Sequence, residues 1–193
     1  MKTKFIFLTL LLLFARGGDF YSTSLWFFDN PSDEMNPLTH FFGFGWTGLI
    51  LTNLAFVGLI IYGHYYYTFK YSPPKMSSIP SKLTDFVSEL YFNEKGKFYQ
   101  VFYKMPKNKN VFIGHTSYVL IRGTILGSIL ATIHNLCQFY NIPAYNAFRE
   151  IVKRPLFVIY GLIISSVIYF SYRLWKSEYD SVKENLAINK NDL

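Results

Sequence analysis

Thirty consecutive residues, Val111 to Tyr140, carry a single full charge, Arg122, and two histidines, His115 and His134. At ~1.5 Å per residue, ~20 apolar residues span a ~30 Å hydrocarbon core, so this stretch is long enough to cross a bilayer. Gly123, Gly127 and Ala131 fall four apart and share one helix face, where small side chains let another helix approach closely. The span is therefore expected to pack against neighbours. A charge inside it must snorkel to the headgroups, pair with a carboxylate or carbonyl, or meet a ligand, and Arg122 is a candidate for each.

Two further runs repeat the pattern. Residues 41–69 contain no full charge, with Trp46 near one end and Tyr65, Tyr66 and Tyr67 near the other, as two aromatic belts require. Residues 156–175 form the last apolar run, with Gly161 and Ser165 four apart, closed by Arg173 and Trp175. The expected fold is an all-α membrane protein with about three transmembrane helices, at 41–69, 111–140 and 156–175. An extramembrane loop of about forty residues, 70–110, joins the first two, 141–155 is a short loop, and 176–193 is a polar tail. Asn53 inside the first span reads as a hydrogen-bonding residue directed at another helix.

Residues 1–40 precede these spans as a hydrophobic segment and an acidic connector. Lys2 and Lys4 lead an apolar run from Phe5 to Ala15 of secretory-signal layout, with small residues placed for cleavage after Gly17. Eleven residues are too few for a comfortable span, so the segment is expected to be a retained anchor lying in the interface or against a partner. Trp26, Phe27 and Phe28, followed by Asp29, Asp33 and Glu34, suit headgroup level and then water.

In the 70–110 loop, Leu83, Phe86, Val87, Leu90 and Tyr91 recur at helical spacing, and residues 97–104 read as a strand. About forty residues cannot bury much of a core alone, which predicts docking on a partner or on the membrane surface.

Charge sets the orientation. The net charge of +7 is confined to short segments between apolar runs, a distribution that fits the positive side of a membrane and excludes a phosphate-binding face. With three crossings, the 70–110 loop and the C-terminus share the basic side. The single cysteine, Cys137, excludes an internal disulfide framework. Abundant Phe, Tyr, Ile, Asn and Lys, all with AT-rich codons, hint at an AT-rich genome.

The chemistry-bearing residues are few. His115 and His134 are nineteen apart, about 28 Å along one helix, and cannot share a metal. His64 and His115 fall at similar depth where the first span ends and the second begins, an arrangement a b-type haem would need. Arg122-Gly123-Thr124, with Ser117 five residues ahead, resembles the serine-plus-arginine element of the cytochrome b large anchor subunit of succinate dehydrogenase, in which the serine lies four residues ahead. The likeness covers only these residues and implies a quinone neighbour for Ser117 and Arg122; the following span lacks the haem-ligating histidine.

With no metal cluster, phosphate loop or catalytic triad in the sequence, no enzyme and no cofactor is expected. The function expected is that of a non-catalytic accessory subunit of a large mitochondrial inner-membrane complex, of the respiratory chain or ATP synthase. The large loop and C-terminus would lie in the matrix, with other membrane subunits and lipids as partners and no nucleic acid. The alternatives are a quinone- or haem-binding anchor subunit and an endomembrane protein delivered by its N-terminal signal.

Overall fold

The computed structural model describes residues 1–27, 45–74, 76 and 80–191, with the side chains of 27 and 187–191 left out. The acidic connector and the first residues of the 41–69 run lie outside the described residues. Among those described the chain is all-helical: α1 (Lys2–Phe27), α2 (Trp46–Phe69), α3 (Leu83–Phe92), a 3-10 segment (Phe98–Phe102), α4 (Lys109–Phe139), α5 (Pro143–Val152) and α6 (Pro155–Asn191). Four of these, α1, α2, α4 and α6, are long and apolar enough to cross a membrane, one more than the sequence reading counted.

The chain divides into two compact units. The first comprises Met1–Tyr62 with Leu120–Ser166, and the second Gly63–Val119 with the chain from Val167 onward.

In the first unit the core joins Leu12 and Ala15 of α1, Val57 and Ile60 of α2, and Ile121 and Ile125 of α4, with Leu8, Leu11, Ile61 and Leu120 packed around them. Further along, Thr132 lies 3.4 Å from the point where a Cβ on Gly18 would stand. Asn135 Nδ2 donates to Ser22 Oγ at 3.2 Å and Thr23 Oγ1 at 3.3 Å, and Trp26 stacks edge-on to Phe139 at 5.7 Å. Contacts thus advance together in residue number along both helices, so α1 runs parallel to α4. The N-terminal segment extends well past the eleven-residue apolar run: it is a 26-residue helix, about 39 Å long, lying against another helix of its own chain.

The second unit is built from the ends of the long helices. At 31 and 37 residues, α4 and α6 measure about 46 and 55 Å, longer by several turns than a ~30 Å hydrocarbon core needs. The 70–110 loop folds onto that surplus. Phe86, Val87, Leu90, Tyr91 and Phe92 of α3 are buried with Val111 of α4, and Trp175, Tyr179 and Val182 of α6 pack against them. The helix ends thus supply a surface on which part of this loop's apolar side chains are buried, while Tyr99, Phe102, Tyr103 and Met105 stay exposed.

Asn93, in the left-handed conformation at φ 57°, ends α3. The expected strand over 97–104 is replaced by the 3-10 segment, whose Phe98 and Val101 join this core. A strand there would need a second strand to satisfy its backbone, and none exists among the described residues.

Candidate functional site

Two polar clusters are built into these cores, one in each unit. The cluster in the second unit centres on His115 in the second turn of α4, 3% exposed. Three other segments converge on it. Tyr71 follows α2 and turns back through a bond from its N–H to Tyr66 O of 2.8 Å, which lays its ring across Gly114, the residue before His115. Tyr91 comes from α3, and Trp175 and Glu178 come from α6.

His115 Nδ1 lies 2.7 Å from Tyr91 Oη, while Nε2 lies 2.9 Å from Glu178 Oε2 and 3.0 Å from Tyr71 Oη. Trp175 Nε1 donates to Tyr91 Oη at 3.3 Å, and Tyr71 Oη donates to Glu178 Oε2 at 3.4 Å. One proton arrangement satisfies the set: Trp175 to Tyr91, Tyr91 O–H to Nδ1, and Nε2–H to the Glu178 carboxylate. Low local dielectric makes each of these bonds stronger than in water and makes losing one costly. Burial pushes the Tyr91 phenol up to about 12. Burial, followed by the Glu178 charge, pushes Tyr71 up as well. Both rings are thus held neutral as hydrogen-bonding groups.

The cluster in the first unit lies between three helices. Arg16 of α1 pairs with Asp19 one turn on at 2.6 Å, donates to Ser128 Oγ of α4 at 3.2 Å, and donates to Asn53 Oδ1 of α2. Asn53 Nδ2 donates back to Leu49 O at 3.0 Å, so Asn53 takes the interhelical role read for it. A cleft of about 150 Å³ adjoins this cluster, lined by Arg16, Asp19, Phe20, Trp46 and Asn53 among others.

The sequence-predicted residues fall differently. Ser117, His64 and His115 belong to the second unit and Arg122 to the first. His64 is 2% exposed. Both ring nitrogens of His115 are engaged by side chains of the chain itself, so neither directs a lone pair at an iron, and the His64/His115 haem arrangement gains no support. Ser117 serves helix packing, its Oγ only 2.7 Å from where a Cβ on Gly63 would sit. Arg122, Gly123 and Ala131 are half-buried on α4, and a Cβ added at Gly127 would stand 3.4 Å from Ile163 Cδ1. A Cβ added at Gly161 would meet nothing within 4 Å and Ser165 is exposed, so that face of α6 is open among the described residues.

Sequence reasoning missed Arg16, Asp19, Tyr71, Tyr91, Trp175 and Glu178 as members of these clusters. One signal was present: Trp175, Glu178, Tyr179 and Val182 recur at helical spacing and mark a buried stripe in what reads as a polar tail.

The chain matches no family model, no curated protein and no solved structure.

Proposed function

We propose that this chain is a non-catalytic, multi-pass subunit of a larger membrane assembly, held in place by neighbouring subunits through its outward apolar faces. The observation that carries this reading is α6. Its most apolar stretch is only 6% buried, with Phe157, Tyr160, Ile164 and Ile168 exposed beside the open Gly161–Ser165 face. A small-residue face left open among the described residues admits another helix closely, and exposed aromatic side chains supply contact area around it. Both polar clusters are engaged internally, the role expected of groups that fix helix packing.

All four long helices cross the bilayer in this reading. The N-terminus, the 70–110 loop and the C-terminus then share one side, which holds fourteen of the nineteen Lys and Arg residues, and the opposite side holds Arg149, Lys153 and Arg154. By the positive-inside rule the first is the matrix or cytosolic side. We assign the assembly to the mitochondrial inner membrane, as a respiratory-chain or ATP synthase subunit with the basic side in the matrix. The AT-rich-codon composition and the strong charge asymmetry support that assignment.

The test is native-gel separation of detergent-solubilised mitochondrial membranes containing the tagged chain, followed by identification of co-migrating proteins. Co-migration with one respiratory or ATP synthase complex is expected. Migration as a free 22.6 kDa chain, or fractionation away from mitochondria, would refute the proposal.

A further inference from the structure

Helix α5 has no place in either buried core. It is ten residues long, about 15 Å, and cannot cross a bilayer, and none of its residues is buried. Three residues, Tyr140 to Ile142, separate it from α4 and two, Lys153 and Arg154, from α6. Three extended residues reach at most ~10 Å, so α5 is tied close to the level where the two long helices end.

Both connections are tight. Ile142 N–H donates to Cys137 O at 3.0 Å beside Asn141 at φ 53°, and Lys153 N–H donates to Arg149 O at 2.8 Å with Lys153 at φ 56°. The Tyr145 hydroxyl bonds His134 Nδ1 of α4 and so fixes the rotation of α5 about its own axis.

The helix is amphipathic. Ala144, Ala147, Phe148, Ile151 and Val152 fall on one face at 100° per residue, with Asn146, Arg149 and Glu150 on the other. Ile151 is 82% exposed, and just beyond the helix Arg154 lies 5.6 Å over the Phe157 ring. An apolar stripe at the end of two long helices, flanked by Arg149, Lys153 and Arg154 against the one acid Glu150, fits the boundary between acyl chains and anionic headgroups.

We propose that α5 lies flat in the headgroup layer, with Ile151 and Phe148 inserted at the acyl boundary and Arg149, Lys153 and Arg154 bound to anionic lipid phosphates. This rests on the reading that α4 and α6 cross the bilayer. In that position the helix fixes how deeply the α4–α6 hairpin sits.

The experiment uses the full chain with Cys137→Ser, carrying one fluorophore-labelled cysteine at a time. Nanodiscs are made of phosphatidylcholine alone or with phosphatidylglycerol, and their acyl chains are brominated near the carbonyl or near the methyl end. A label at Ile151→Cys is expected to be quenched severalfold more by shallow than by deep bromines and to resist aqueous iodide, whereas Glu150→Cys, 100° around the helix, is quenched by iodide. Adding phosphatidylglycerol is expected to strengthen the shallow quenching at Ile151, and Lys153→Gln with Arg154→Gln to abolish that increment. Equal iodide quenching at 150 and 151, or no lipid quenching at 151, overturns the proposal; loss of the phosphatidylglycerol effect alone overturns the anionic-lipid part. A label at Ile164→Cys in α6 reports on the spans themselves: without quenching there by deep bromines, it is the membrane-crossing reading that fails.

Discussion

Replacing Gly114 by alanine tests whether the cluster around His115 is a rigid clamp. A Cβ at this position would stand 2.6 Å from Tyr71 Cδ2, 2.7 Å from Cγ and 2.9 Å from Cε2. These atoms belong to the body of a ring whose far end is fixed, since Tyr71 Oη is bonded to both His115 and Glu178. The ring therefore either stays and is overpacked, at ~1–3 kcal/mol, or withdraws and gives up two hydrogen bonds, each contributing ~0.5–1.5 kcal/mol and more where a carboxylate accepts. The methyl returns about 0.5–1 kcal/mol through higher helix propensity and lower chain entropy.

The net cost is about 1–2 kcal/mol, a 5–30-fold shift toward the open form. It is expected to be local, because Tyr71 joins the loop core and not the core of the first unit. Amide hydrogen exchange on the full chain in detergent reads it directly: residues 86–92 of α3 should exchange 5–30-fold faster while residues 50–60 of α2 stay unchanged. Gly58→Ala is the control, since nothing lies within 4 Å of its added methyl, and it should leave α3 exchange as it is. Equal α3 exchange in the two variants would refute the clamp.

Glu178→Ala should accelerate the same α3 amides by removing a charge-assisted bond of ~1.5–3 kcal/mol, and Glu178→Gln should do so less, because its amide oxygen still accepts from Nε2–H. Glu94 should make residues 94–107 acid-sensitive: Lys107 and Lys97 hold its carboxyl down to about 2, so its stabilising effect is present above its ordinary 4.5 and lost as pH falls toward 2. Limited acid proteolysis of this segment should rise over that window and lose its pH dependence in Glu94→Gln. Tags placed ahead of Met1, at Lys95 and after Leu193 should all be protected on one side of sealed vesicles; a tag ahead of Met1 on the opposite side from Lys95 would leave α1 outside the membrane-crossing set.

The long apolar helices α2, α4 and α6 were legible because a bilayer imposes a length and polarity requirement that a single chain displays along its sequence. The loop helix was legible from its own periodicity. The His115 cluster was not, because its members at 71, 91, 115, 175 and 178 come from four segments with no spacing that links one segment to another, and they meet only when those segments fold together. His64 and His115 suggested haem because their similar depth is what a facing pair needs; the bonds that engage His115 come from Tyr91, Tyr71 and Glu178, and nothing local in the sequence ties those residues to His115.

The fourth long helix was undercounted for a different reason. A hydropathy reading treats Arg16 and Asp19 as two barriers that end the run after Ala15, with Gly17 and Gly18 adding a break in helix propensity. At i and i+3, however, the two side chains share one face and cancel each other's charge at 2.6 Å, a pairing visible in the sequence. What the sequence conceals is that Asn53 and Ser128 from two other helices each accept a hydrogen bond from the guanidinium, so the pair is partly solvated by the bundle itself. Beyond that point the parallel match of Gly18 to Thr132, Ser22 to Asn135 and Trp26 to Phe139 carries α1 along α4. Because α1 lies beside α4 through the first unit, any membrane that α4 crosses there meets α1 at the same depth, and Arg16 with Asp19 then becomes a buried interhelical lock instead of the end of a span.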